Sequence, residues 1–188
     1  QMGYIVLGFG IGLHYLSPTA FQGGLFHIIT HAGMKGLAFL IAGIIIHYAG
    51  VTEIWQMKGL SRKLPLITFA FSIACLGLAG VPPLSGFMSK WLIYKSGIVV
   101  GGNGYFLAAI AIFNSVLSLG YYIPVMNVFY SKTTSGEIIV SKIPPWIINV
   151  PVILLALSVI AIGLYPDVVL SMVDLAVINI YNVIGVAK

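Results

Sequence analysis

Apolar residues run along this chain in long blocks, with polar residues collected between them. Residues 1–16 form the first block, ended by Ser17-Pro18, and residues 20–50 form the second. A polar stretch at 51–64 follows, with Glu53, Lys58, Arg62 and Lys63. Further apolar blocks occupy 65–79, 84–100, 105–130 and 146–164. They are separated by Gly80-Val81-Pro82-Pro83, by Gly101-Gly102-Asn103-Gly104 and by a polar segment, 131–145, holding Lys132, Glu137 and Lys142. Blocks of about 20 apolar residues match a bilayer core of ~30 Å, so each reads as a helix that crosses a membrane. The first block is too short to cross upright, so residue 1 reads as lying inside a helix that begins earlier. Residues 167–186 differ. Asp167, Ser171, Asp174 and Asn182 fall near one face with aliphatics opposite, which suits an interfacial helix or one packed at the edge of the bundle.

The pattern predicts an all-α protein: a polytopic transmembrane helix bundle, one membrane domain over 1–188, with about six spans. Counting spans in alternation puts the 51–64 and 101–104 connections on one side and 131–145 on the other. Composition agrees, with 60% hydrophobic and 7% charged residues and a mean hydropathy of +1.07. Soluble domains carry roughly 25% charged residues. The net charge of +5 comes from scattered lysines and arginines, which excludes a nucleic-acid footprint. Cys75 is the only cysteine, so no intramolecular disulfide and no cysteine metal cluster can form.

The polar positions inside the spans change the picture. His27, His31 and Lys35 recur every four residues in the second block, so they share one helix face and cover about 12 Å of its axis. A charge at the bilayer centre costs several kcal/mol unless it is paired or wetted. Imidazole both gives and takes a proton near neutral pH, and a lysine in a low-dielectric site releases its proton more readily than one in water. A row of such groups can pass protons. Interhelical hydrogen bonding and a snorkelling lysine are the plainer alternative. Metal ligation lacks a third ligand beside His27 and His31. Haem ligation would need histidines on facing helices, whereas His14 and His47 lie near block ends.

Lys90 follows the Gly-Pro break by a few residues. Backbone freed at membrane depth is tolerated only where protein or water satisfies it, and broken helices beside an ionisable group mark transport sites. Lys90 is therefore read as a gate opening to one side. The 65–79, 84–100, 105–130 and 146–164 blocks and the 20–50 block hold no Asp or Glu, so counter-charges for Lys35 and Lys90 are expected from water or from a neighbouring chain. Thr68 and Ser72, with Asn114, Ser118 and Tyr122, form smaller stripes that could line water.

These residues fall in recognisable runs. Phe26-His27-Ile28-Ile29-Thr30-His31-Ala32-Gly33-Met34-Lys35-Gly36-Leu37-Ala38-Phe39-Leu40 resembles the FHLxxHAxFKAxLFL signature of antiporter-like subunits of respiratory complex I, Mrp cation/proton antiporters and membrane-bound hydrogenases. Leu78-Ala79-Gly80-Val81-Pro82-Pro83-Leu84-Ser85-Gly86-Phe87-Met88-Ser89-Lys90-Trp91 is similar to that family's LAGIPPxxGFxSKW run. Met57 to Pro65 resembles its GGLxR/KxxP stretch, and Gln1-Met2-Gly3-Tyr4 the end of its SSIxQxGY helix. The resemblance implies the C-terminal half of such a subunit: most of the second of two inverted repeats, with a discontinuous helix. It implies that His27, His31 and Lys35 are the central proton path of that repeat and that Lys90 is the residue beside the broken helix. It also implies that the family's carboxylate–lysine pair lies in the first repeat, outside this chain.

The expected function is proton translocation, with Na⁺ exchange as a variant, through the membrane arm of a respiratory or antiporter complex in a prokaryotic inner membrane. Electron transfer in partner subunits would supply the energy, and the chain itself would bind no cofactor and no metal. The rivals are an Mrp-type antiporter subunit without redox chemistry and a structural subunit without transport.

Overall fold

A computed structural model describes residues 1–132, 140 and 143–183. Among these residues the regular elements are helices. They are α1 (Met2–Tyr15), α2 (Pro18–Ala49), a 3-10 turn (Ile54–Met57), α3 (Leu60–Lys63), α4 (Pro65–Ala79), α5 (Ser85–Val100), α6 (Asn103–Tyr130), α7 (Trp146–Leu164) and α8 (Asp167–Val183). Glu137, Lys142 and the end of the expected 167–186 segment beyond residue 183 lie outside the described residues.

The longest element, α2, has 32 residues, or about 48 Å of axis, which exceeds a bilayer core. Pro18 opens it, where its missing N–H costs nothing, and Gly50 ends it with φ 66°. α6 and α7 are also long and apolar enough to cross a membrane. α4 and α5, with 15 and 16 residues, are each only about 23 Å long.

The contacts of α2 show how α4 and α5 combine. Near its C-terminal end, Ile41, Ile44 and Ile45 share one apolar cluster with Leu60, Leu64, Ile67 and Ala70. At its middle, the Met34 sulfur faces both Gly77, near the end of α4, and Gly86, at the start of α5. Nearer its N-terminus, His27 and Thr30 reach Ser89, and Gly23 abuts Ile93. α4 and α5 are thus stacked end to end along α2, antiparallel to it, as two halves of one crossing.

α6 returns beside them. Gly104 packs on Gly97, Ser115 reaches the break, and Phe129 lies 5.1 Å from Phe71, ring to ring. α7 runs antiparallel to α2, with Val159 beside Gly77 and Gly163 pressed on the backbone of Pro83 and Leu84.

This register corrects the alternation drawn from hydropathy. The 65–79 and 84–100 blocks are not two crossings that reverse at the prolines. A Gly-Pro interruption looks the same in sequence whether the chain turns back or runs on, and only packing against α2 decides. The 51–64 connection therefore lies at the opposite end of the bundle from the 101–104 turn, and the Tyr130 end of α6 lies with 51–64.

α8 lays Val173, Val177 and Tyr181 against Phe21 and Phe26 of α2, and Gln22 Nε2 donates to Asp174 at 2.5 Å. Its outer side carries Val168 at 70% exposure and Met172 at 70%. Polar Asp167, Ser171 and Asn182 are exposed along the same helix.

Two outcomes test this packing. With Cys75 replaced by Ser, single cysteines at Gln56 and Asn103 should be labelled by an impermeant maleimide from opposite sides of sealed vesicles. A methyl at Gly86 would overlap the Gly77 carbonyl, whereas one at Gly36 would meet nothing within 4 Å. Gly86→Ala should therefore destabilise the purified protein by about 1–3 kcal/mol in thermal unfolding, and Gly36→Ala should not.

Candidate functional site

The site is built on the end of α4. A helix that stops inside a membrane leaves its last four carbonyls without intrahelical partners. Here each finds one. Gly80 turns into the left-handed region at φ 86°, so its N–H reaches Leu76 O and Gly77 O, and the Val81 N–H also reaches Leu76 O. Ala79 O accepts from Ser115 Oγ of α6 at 2.7 Å. Leu78 O accepts from Lys90 Nζ at 2.7 Å and from Gln1 Nε2 at 2.6 Å.

Lys90 is thus the cation at a helix C-terminus, where the carbonyl dipoles favour positive charge. It is 1% exposed. Its ammonium also donates to Ser115 Oγ at 3.2 Å and lies 4.6 Å from the centre of the Tyr4 ring, a cation–π distance. Five residues into α5, its side chain folds back onto α4, where a carbonyl, a hydroxyl and an aromatic face meet its ammonium.

Tyr4 links this cluster to α2. Its hydroxyl donates to Ala111 O at 2.8 Å and accepts from Asn114 Nδ2 at 3.4 Å, which pins the ring between helices. The ring lies 5.6 Å from that of His27. His27 is fully buried, its Nδ1 is 2.8 Å from Ser89 Oγ, and its ring stacks on His31 at 5.9 Å with 23° between planes. The shared helix face read from spacing is therefore present. Among the described residues, Nε2 of both histidines is buried without a hydrogen-bond partner, as is Gln1 Oε1. Lys35, half-buried on the next turn, places its ammonium 5.3 Å over the Phe39 ring.

The smaller stripes divide. Asn114 belongs to the site through Tyr4. Thr68 donates to Leu64 O and Pro65 O, Ser72 to Thr68 O, and Ser118 to Ser115 O, so these hydroxyls are bonded to their own helices. Ser72 also pairs with Tyr130, and Tyr122 packs on the apolar cluster beside α4 and on Tyr121, with the Gln1 side chain near its hydroxyl. Sequence reading passed over Tyr4, Gln1, Ser89, Thr30 and Ser115. Four of them lie in the runs quoted for the family resemblance. Ser115 sits one residue beyond Asn114, on a register the Asn114–Ser118–Tyr122 stripe did not include.

A family profile described as NADH:quinone oxidoreductase/Mrp antiporter, transmembrane, matches residues 1–118. NADH-quinone oxidoreductase subunit N of Desulforudis audaxviator is 32% identical over 183 residues, covering 91% of this chain. This chain spans only 35% of that relative's length. Among solved structures, the Mrp complex from Dietzia sp. superposes with a TM-score of 0.81 at 22% identity, over 95% of this chain and 40% of the matched one. The membrane-bound sulfane sulfur reductase, an archaeal respiratory membrane complex, gives a TM-score of 0.74 at 30% identity, over 85% of this chain and 31% of the matched one.

Ser115→Ala removes the partner of a carbonyl in the break. It should cost about 1–3 kcal/mol in thermal unfolding of the purified protein, while Ser118→Ala, whose hydroxyl only bonds back to its own helix, should cost under about 1 kcal/mol.

Proposed function

The chain belongs to the NADH:quinone oxidoreductase/Mrp antiporter transmembrane family, and from that membership we propose that it carries part of a proton path through the membrane arm of a larger ion-translocating complex. Na⁺ exchanged for protons is the variant of this reading. Electron transfer in partner subunits is the proposed source of energy.

One observation carries the proposal. The carbonyl that accepts from the buried Lys90, Leu78 O, has a second donor in Gln1. If Lys90 gives up its proton, Gln1 still donates to Leu78 O, and Ser115 still donates to Ala79 O. Removing one charge from a buried ion pair strands the other at a cost of about 3–5 kcal/mol. Nothing is stranded here, so the site suits a lysine that changes charge during function. A lysine that only held helices together would gain more from a fixed carboxylate partner.

From Lys90 the ionisable groups continue through His27 and His31 to Lys35 along the face of α2 that meets α1 and α5. In the proposed path, His27 and His31 exchange a proton through their unpartnered Nε2 atoms, and Lys35 receives it one turn further on. Water is the natural bridge for gaps of this size, as buried polar atoms without protein partners hold it elsewhere. His27, His31, Lys35 and Lys90 are the proposed path, and Tyr4 and Asn114 support it. Thr68, Ser72, Ser118 and Tyr122 are left to helix packing.

The proposed setting is a prokaryotic inner membrane, with residues 1–188 acting as one membrane domain beside further subunits or further parts of a longer chain. The end of the bundle with the 51–64 connection carries Lys58, Arg62, Lys63 and Lys132, against Lys95 toward the other end. By the positive-inside rule that end faces the cytoplasm.

The test is proton flux in vesicles holding equal amounts of assembled complex. Lys35→Ala and Lys90→Leu should each lower flux by at least about tenfold. Lys35→Arg should not restore it, because guanidinium does not release its proton. Near-normal flux in either neutral variant would remove that lysine from the path. Residues 1–188 alone in liposomes should show no uncoupler-sensitive flux, and clear flux would mean that the chain is self-sufficient.

A further inference from the structure

Ser89 precedes Lys90 in α5, yet its hydroxyl points to the other helix, α2. It is fully buried, as is His27. Three polar neighbours surround Ser89 Oγ: His27 Nδ1 at 2.8 Å, Gly86 O at 3.2 Å and Thr30 Oγ1 at 3.2 Å. Thr30 Oγ1 has a second acceptor within reach, His27 O at 3.3 Å. A hydroxyl has one proton to give and two lone pairs with which to receive. Two arrangements follow, according to which of Ser89 and His27 donates across the 2.8 Å contact.

In the first arrangement Ser89 donates to His27 Nδ1 and Thr30 donates to Ser89. Neutral His27 then carries its proton on Nε2. Among the described residues that N–H is buried with no hydrogen-bond partner, although the Gln1 backbone lies against the same ring. In the second, His27 Nδ1–H donates to Ser89, Ser89 donates to Gly86 O, and Thr30 donates to His27 O. Every proton now has an acceptor, and Nε2 is left as a bare lone pair. Orphaned buried N–H groups are rarer than under-used acceptors, which favours the second arrangement.

We propose that Ser89 is a positioning residue that holds neutral His27 as its Nδ1–H tautomer, with Gly86 O and Thr30 completing the arrangement, so that Nε2 is the atom that takes and gives the proton. When a proton arrives at Nε2, the imidazolium has N–H on both nitrogens. Nδ1–H still donates to Ser89, and neither hydroxyl turns. When the proton leaves from Nε2, the same neutral tautomer returns. One proton enters and one leaves at a single atom, without rearranging the buried hydroxyls. Asn or Ala at position 89 would not supply this: an amide can meet Nδ1 with either end, and a methyl with neither.

The effect on flux rests on the proposed function, but the tautomer does not. The experiment is magic-angle-spinning NMR of the assembled complex labelled with ¹⁵N-histidine, in which the His27 signals are those lost in His27→Asn. Wild-type His27 at high pH should show a protonated Nδ1 and an unprotonated Nε2. Ser89→Ala should shift that population toward protonated Nε2 and lower proton flux roughly tenfold, and Ser89→Thr should keep both tautomer and flux. A wild-type spectrum with protonated Nε2 and bare Nδ1 would overturn the assignment even if neither Ser89 variant assembles. So would an unchanged tautomer in Ser89→Ala. Normal flux in His27→Asn would instead remove His27 from the proposed path and leave the tautomer assignment standing on its spectrum.

Discussion

The fold turns on one exposed end: α4 stops in the middle of the bundle, and its last carbonyls must be satisfied there. Backbone groups left bare at membrane depth cost several kcal/mol each. The surrounding structure can be read as the answer to that cost. Gly80 folds two N–H groups back over the helix end. α6 supplies Ser115, α1 supplies Gln1, and α5 supplies Lys90. α7 brings Gly163 close enough that a side chain there would collide with the Pro83 and Leu84 backbone. Four helices converge on the end of α4 and the residues that follow it, and the only charged group among their donors is Lys90.

That requirement also explains the length of α2. Two half-helices stacked end to end need a continuous partner to hold them in line, and α2 touches both, with Met34 seated at the junction. The same continuity puts His27 beside Ser89 in one half and the Ile41–Ile45 face beside Leu60 and Ile67 near the other. The ladder of ionisable groups and the strut that carries it are one helix, so tilting α5 against α2 would change the His27–Ser89 contact and the Lys90–Leu78 contact together.

Much of this was legible in the residues, and the gaps have physical causes. Helix positions followed from apolar block length, and the i, i+4 spacing of His27, His31 and Lys35 placed them on one face. The Gly-Pro break was visible and the resemblance implied a discontinuous helix, but counting spans took the break for a reversal, because hydropathy is blind to whether a chain reverses or continues. Lys90 stood out by its apolar surroundings but its contacts did not, since which way a flexible four-carbon stem folds depends on where carbonyls are free. Tyr4 and Ser89 escaped notice for a different cause. Neither is out of place in a membrane helix, and each matters only through a partner on another helix.

Charge sets a limit on how such a row can work. The rings of His27 and His31 lie 5.9 Å apart, so two protonated imidazoles would repel by about 3 kcal/mol at an effective dielectric constant of 20. No carboxylate among the described residues lies at hand to offset a second charge: Glu53 is in a connection, Asp167 and Asp174 are on α8, and Asp174 is taken by Gln22. The histidine pair therefore holds one proton far more readily than two, and occupancy of one ring opposes occupancy of the other. A positive charge on Lys90, held across the Tyr4 ring, adds to the same repulsion. If the row carries protons as proposed, a proton advances when the position ahead is empty, and the state of the lysine at the broken helix bears on whether the first histidine is filled.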